Sequence, residues 1–215
     1  MKYSLIVFDW DGTLIDSPRT IVECIRRAAA DMGLEVPDRE RASHVIGLGL
    51  HDSLRIAVPG LPAERYGEFV ALYRRHFLAR EDSMRLFPGI KELVESLARR
   101  HVLAIATGKS RRGLDRALRS SGLEACFHAS RCADETHPKP HPAMLLELMA
   151  QTERDAAAAL MIGDTSHDLE MARAAGVDAL AVSYGAHPEE GLRACGPLGC
   201  FPTVPSLREW LTQNA

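Results

Sequence analysis

Hydrophobic positions along the chain follow two different periods. Four short runs are almost continuously apolar: Ser4–Trp10, His101–Thr107, Ala159–Gly163 and Ala179–Ser183. That is the pattern of parallel strands buried on both faces. Cys126–Ser130 and Phe201–Val204 carry weaker versions of it. Between the runs the period turns helical. After Pro88, the residues Ile90, Leu93, Val94 and Leu97 form one apolar face, and Arg99 and Arg100 follow where a helix dipole is negative. Ser110 is placed to cap a helix carrying Leu114, Ala117 and Leu118, with Gly122 as its stop. Pro142 opens a helix with Met144, Leu145, Leu148 and Met149, and Leu169, Ala172 and Ala175 mark another that ends at Gly176. Ser206 and Glu209 have capping-box spacing ahead of a last short helix. Strands alternating with helices predict a three-layer α/β fold around a parallel sheet.

The stretch 15–84 breaks that alternation, because it holds no convincing buried strand. Ser17 and Pro18 suit the N-cap and first position of a helix bearing Ile21, Val22, Ile25, Ala28, Ala29 and Met32, which Gly33 stops. Leu50–Ala57 and Ala63–Ala79 also read as helices, separated by Pro59-Gly60. The expected organisation is a discontinuous core, 1–14 and 85–215, with a helical domain, 15–84, inserted between its first and second strands.

Composition narrows the class. With 46% hydrophobic and 26% charged residues, the 215-residue chain has the balance of a globular protein and not of a disordered one. A formal net charge of −3 argues against a nucleic-acid binder that works by bulk charge. No apolar run approaches the roughly 18 residues of a membrane span. The apolar stretch before Asp9 is too short for a signal peptide, so the cytoplasm is the expected compartment. Five cysteines without a CxxC pair read as free thiols. Cys195 with Cys200, and His137 with His141, read as loop residues and not as metal ligands.

Candidate chemistry gathers at predicted strand ends. The first strand runs into Asp9-Trp10-Asp11-Gly12-Thr13-Leu14. Two carboxylates at such a position need partners or a cation, and Gly12 permits a tight turn after them. The second long strand ends in Thr107-Gly108-Lys109, just ahead of a helix N-terminus, where a hydroxyl and free backbone N–H groups can hold an anion. Lys139-Pro140 precedes the Pro142 helix, and the Ala159–Gly163 strand ends in Asp164 with Asp168 four residues on. In an open α/β sheet, ligands bind at the carboxyl ends of the strands. Carboxylates from different strands suit a hard divalent cation such as Mg²⁺.

DWDGTL, TGK, KP and GDTSHD resemble, in this order, the four motifs of the haloacid dehalogenase superfamily, and the match covers nearly the whole chain. The helical insert resembles that superfamily's type-1 cap, and the phosphoglycolate-phosphatase-like members are the most similar in pattern. The resemblance implies a Rossmann-like core and Mg²⁺-dependent hydrolysis of a small phosphate monoester through an aspartyl-phosphate. It implies Asp9 as nucleophile, Asp11 as acid and base, Thr107 and the Gly108 N–H as phosphate binders, and Lys139 as charge neutraliser. Asp9, the Asp11 carbonyl and Asp164 would hold the metal, with Asp168 behind them, acting through water or by orienting Lys139. The cap loop Ile46–Ser53 resembles one that faces the core, which makes Gly47, His51 and Arg55 candidate substrate contacts. The partner expected is a small phosphorylated metabolite, with no nucleic acid and no membrane. Cap opening is expected to hinge near 15–17 and 83–87.

Within that resemblance other branches differ in readable ways. Dehalogenases need no acid at the second position, where Asp11 stands. Phosphonoacetaldehyde hydrolases use a cap lysine, and no lysine occurs between Lys2 and Lys91. A β-phosphoglucomutase-like sugar phosphomutase shares both motifs and cap, and stays open. So does a non-catalytic α/β binding module that kept the fold.

Overall fold

The computed structural model describes residues 2–81 and 83–215. In chain order the elements are β1 (Leu5–Phe8), α1 (Pro18–Asp31), α2 (Arg39–His44), α3 (Leu50–Ala57), α4 (Tyr66–Glu81), α5 (Ile90–Leu97), β2 (Val102–Thr107) and α6 (Arg111–Ser121). They continue with β3 (Ala129–Cys132), α7 (Ala143–Thr152), β4 (Ala159–Gly163), α8 (Ser166–Ala174), β5 (Asp178–Val182), α9 (Glu189–Ala194), β6 (Gly199–Phe201) and α10 (Val204–Asn214).

The six strands form one sheet in the order β3-β2-β1-β4-β5-β6, and every neighbouring pair is parallel. Central β1 fixes the register: Leu5 lies opposite Val102 and Ala159, and Phe8 opposite Ile105 and Ile162. Alternate side chains of a strand point to opposite faces. Ile6 and Phe8 accordingly pack with α5, α6 and α10, whereas Leu5 and Val7 pack with α7 and α8. Both faces are thus covered, as a parallel sheet requires. The chain builds β1 to β3 outward on one side and then returns to place β4 on the other. The carboxyl ends of β1 and β4 therefore flank the point where strand order reverses.

The helices α1 to α4 bury their apolar faces in a separate cluster that includes Ile21, Ile25, Ala42, Leu54, Phe69 and Phe77. This helical insert meets the sheet-bearing part through two antiparallel segments. The Asp16 N–H donates to the Arg85 carbonyl at 2.9 Å, and the Phe87 N–H to the Leu14 carbonyl at 3.0 Å. No helix among the described residues is long and apolar enough to cross a membrane.

Several boundaries differ from the sequence reading. The third strand lies at Ala129–Cys132, because Glu124–Cys126 folds as a 3₁₀ turn. It is an edge strand, so its Ser130 and Arg131 can stay half-buried with polar partners in Arg111 and Glu147. The last strand ends at Phe201, and α10 starts earlier than Ser206. Its cap is the Thr203 hydroxyl, which accepts from the Ser206 N–H, with Pro205 in the first turn. Ser17 does occupy the N-cap of α1, but its hydroxyl makes no capping bond. The helices α2 and α9 are short and had no legible period.

Candidate active site

The sheet places four charged side chains together at its carboxyl edge. Asp9 follows β1, and its N–H donates to the Ile162 carbonyl of β4 at 2.9 Å. Asp164 follows β4, and Asp168 sits in the first turn of α8. Lys139 comes in on the loop between β3 and α7. All four are buried, none more than 1% exposed. Lys139 Nζ lies 2.8 Å from Asp9 Oδ1 and 2.6 Å from Asp168 Oδ1. Asp168 Oδ2 also accepts from the Thr165 N–H and hydroxyl, closing a capping box on α8. Asp164 is held from both sides: the Thr13 hydroxyl donates to Oδ1 at 2.8 Å, and the Ala186 N–H to Oδ2 at 2.7 Å.

Burial dominates the electrostatics. It pushes the Asp9 carboxyl up to about 7; the Lys139 ammonium opposes this and the Asp168 charge adds to it. Asp164 is pushed well above the usual carboxylate range by burial and then by the charges of Asp9 and Asp168. Burial works against the Lys139 charge, but Asp168 and Asp9 outweigh it and hold that pKa above its ordinary value. With all three carboxylates ionised, the one ammonium leaves two negative charges without a counterion, which burial makes costly and a bound cation would relieve. Carboxylate oxygens of Asp9, Asp164 and Asp168 lie within 4.8 Å of one another. Asp9 Oδ2 has no hydrogen-bond partner among the described residues. An all-oxygen donor set with two excess negative charges fits a hard divalent cation.

Asp11 is set apart from this cluster. Its carboxylate accepts from the Ser17 hydroxyl at 2.8 Å and faces Lys109 Nζ at 3.0 and 3.2 Å. The Lys109 ammonium also stands 4.9 Å from the ring centre of Phe77, on α4 of the insert. Thr107 is buried, and its hydroxyl accepts from the Lys109 N–H at 3.2 Å. Gly12 turns the chain between the two aspartates and Thr13 with φ of +86°. A Cβ there would stand 2.1 Å from Asp164 Oδ2, so only glycine lets the first strand end approach the fourth so closely.

The insert lies directly over this edge. A Cβ on Gly108 would come within 2.6 Å of the carbonyl oxygens of Gly47 and Leu48, so the cap loop rests on the Thr107–Lys109 turn. Gly47 likewise approaches Thr165. His51 is exposed and stacks on Tyr66, with ring centres 4.9 Å apart. Arg55 has a side chain 70% exposed and an i,i+3 contact with Asp52 at 3.7 Å. The structure therefore gathers Asp9, Asp164 and Asp168 within 4.8 Å, pairs Lys139 with Asp9 and Asp168, and seats Gly47 over the core. His51 and Arg55 instead pair with Tyr66 and Asp52 of the cap itself.

Sequence reasoning missed several participants. Lys109 was legible only as part of TGK, Ser17 only as a helix cap and Thr13 only as part of DWDGTL. Ala186 takes part through its backbone N–H, which no sequence motif marks. Tyr73 on α4 was missed as well: burial and then the Asp11 charge push its phenol pKa up, which places it near that carboxylate. Its stacking on Phe77, with ring centres 5.9 Å apart, gives the cap an aromatic face beside Lys109. Trp10 is fully buried, as an aromatic of the core. All five cysteines are free thiols, and His137 and His141 are exposed loop residues with adjacent rings.

The fold and site define a doubly wound α/β protein with a buried carboxylate–lysine cluster at its switch point and a helical insert over it. Residues 6–182 match the model of the haloacid dehalogenase-like hydrolases, and the chain belongs to that family. It is similar to the protein named "Probable phosphatase IndB" of Dickeya dadantii, 35% identical over 201 residues, covering 90% of this chain and 86% of that protein. It is similar also to the phosphoglycolate phosphatase of Synechococcus elongatus, 28% identical over 97% of each chain. A hydrolase from Pseudomonas syringae superposes with a TM-score of 0.89 over the full length of both chains; at 22% identity it attests the fold alone. The class that follows is a phosphoric monoester hydrolase.

Proposed function

We propose that the protein is a Mg²⁺-dependent phosphatase that hydrolyses a small, phosphoglycolate-like monoester through an aspartyl-phosphate on Asp9. The observation that carries this reading is the buried Asp9, which keeps one carboxylate oxygen unpartnered while Lys139 holds the other at 2.8 Å. In the first step the free oxygen of Asp9 attacks phosphorus and the ester P–O bond breaks. Asp11 gives a proton to the departing alkoxide. In the second step Asp11 takes a proton from water, which attacks phosphorus, regenerates Asp9 and releases inorganic phosphate. Splitting one difficult displacement into two is the advantage of a carboxylate nucleophile. Thr107 and the Gly108 N–H hold phosphoryl oxygens, and Lys139 balances charge that develops there. Asp168 orients Lys139 through the 2.6 Å contact. Asp9, Asp164 and the Asp11 carbonyl would hold Mg²⁺, which when bound supplies positive charge to the transferring phosphoryl group.

Substrate size is limited by the cap loop at Gly47 and Leu48, which rests on Gly108. The aromatic pair Tyr73 and Phe77, the Lys109 ammonium, and the candidates His51 and Arg55 are the side chains from which the leaving group is selected. The test is phosphate release from a panel of small phosphorylated metabolites with Mg²⁺. Asp9→Asn is expected to abolish release from every active ester while the fold is kept. Near-normal turnover by a clean Asp9→Asn preparation overturns the assignment. Isomerised sugar phosphate with little free phosphate would instead favour a phosphomutase.

A further inference from the structure

Three imidazoles from three separate segments meet at the join between cap and core. His44 ends α2 of the cap, His167 lies in the first turn of α8, and His187 lies in the loop after β5. Their ring centres are 5.1–5.3 Å apart in all three pairings. Nε2 of His167 and Nε2 of His187 stand 2.8 and 3.1 Å from one atom, the His44 carbonyl oxygen. Two core nitrogens thus converge on a single point, and the third ring sits beside it. One nitrogen from each histidine can be chosen so that all three lie within 4.8 Å of one another. His167 and His187 are buried, whereas His44 is exposed, so the cluster is fixed on one side and open to solvent on the other.

We propose that His44, His167 and His187 form a second cation site, separate from the carboxylate cluster, which takes a borderline transition ion such as Zn²⁺ and ties the cap to the core. The donor chemistry separates the two sites. Imidazole nitrogen suits Zn²⁺, Ni²⁺ and Cu²⁺, while Mg²⁺ selects oxygen. Zinc–nitrogen bonds of about 2.0–2.1 Å in a tetrahedral site put neighbouring nitrogens roughly 3.3 Å apart. The exposed His44 ring supplies the contraction this needs, because it is the one member not packed in the core. Ligation through Nε2 puts the ring proton of His167 and of His187 on Nδ1, so both bonds to the His44 carbonyl are given up, and the Ser166 N–H gives up its bond to His187 Nδ1. The His44 carbonyl is then free to act as an oxygen ligand. Ser43, whose hydroxyl donates to the Ala186 carbonyl at 2.8 Å, already holds this end of α2 against the same loop.

The test uses the whole protein saturated with Mg²⁺, so that the carboxylate cluster is occupied, and Zn²⁺ as probe. Calorimetric titration is expected to show one zinc site per chain, and thermal unfolding a midpoint that rises with Zn²⁺. The variant His44→Ala keeps the carbonyl that the core imidazoles contact and removes only the ring. It is expected to fold, with zinc binding weakened roughly tenfold or more and the thermal rise lost. His51→Ala, an exposed cap histidine outside the cluster, is expected to keep the zinc site. Absence of zinc binding to the Mg²⁺-saturated protein overturns the proposal, and so does equal binding by His44→Ala.

Discussion

Lys139 Nζ lies 2.8 Å from Asp9 Oδ1, and neither side chain is more than 1% exposed. The ammonium pairs with two of the three buried carboxylates, Asp9 and Asp168. Removing one partner of a buried pair leaves an uncompensated charge and costs about 3–5 kcal/mol. Lys139→Met is therefore expected to destabilise the metal-free protein by about that amount and to lose phosphate release. Mg²⁺ supplies part of the missing positive charge, so the stability deficit should narrow when it is added. Urea unfolding of both proteins, with and without Mg²⁺, measures this. A deficit that Mg²⁺ leaves unchanged would count against the cation site.

Gly108 offers a way to disturb the cap without touching the nucleophile. Its backbone has no positive φ, so alanine is allowed there by conformation. The added Cβ, however, meets the carbonyls of Gly47 and Leu48 at 2.6 Å. The cap loop must move off the core. Gly108→Ala is expected to lower kcat/KM at least tenfold while costing only about 1–3 kcal/mol of stability, the usual range for overpacking. Steady-state phosphate release and urea unfolding of the same preparation check both halves. Unimpaired turnover would mean that the loop does not close on this turn in the working enzyme.

His187 makes stability depend on mild acid. Burial pulls its pKa down to about 4, with the neighbouring His167 next in effect. An unfolded histidine titrates near 6.5. Between about pH 4 and 6.5 the unfolded chain binds a proton that the folded protein refuses. The contribution is intact above pH 6.5 and is lost as pH falls through that window, by at most about 3 kcal/mol. His187→Gln removes this group, so the variant is expected to lose less stability than the parent between pH 6.5 and 4. Denaturant unfolding across that range measures the difference. Parallel curves for the two proteins would contradict it.

These sites differ in how far the sequence revealed them, and the reason is locality. Asp9, Asp11, Thr107 and Asp164 each stand where a continuous apolar run stops, so a single strand signal places each of them. Lys139 has no such signal, because it sits on a loop; only its order among the motifs pointed to it. Lys109 and Ser17 were ambiguous for another reason. Each has an ordinary local role, as a turn residue or a helix cap; Lys109 reaches Asp11 from a different strand end, and Ser17 reaches it across the cap–core junction. The histidine cluster joins positions 123 and 143 residues apart, which no periodicity connects. Edge strand β3 is half-buried and carries Ser130 and Arg131, which break the continuous apolar pattern, and β6 is only three residues long, Gly199–Phe201, too short to show one.

Cap movement can be tested with a covalent clamp. A Cβ built on Gly49 lies 3.5 Å from the Cβ of Ala133, at the short end of the 3.5–4.5 Å range of disulfides. Gly49 is the N-cap of α3 with φ of −62°, a conformation cysteine adopts, and its Cβ at 3.1 Å from the Pro138 Cβ needs a small shift of that ring. The pair therefore bridges cap and core in the arrangement described, and Gly49→Cys with Ala133→Cys is expected to oxidise to a disulfide. If the cap must open to admit ester and release phosphate, through segments near 15–17 and 83–87, the oxidised protein is inactive. Reduction should restore turnover to the level of the reduced double variant. The single Gly49→Cys variant controls for pairing with the five native thiols, of which Cys132 adjoins the new site. Full activity in the oxidised, cross-linked protein would show that substrate reaches Asp9 with the cap held closed, and the hinge would then have no part in turnover.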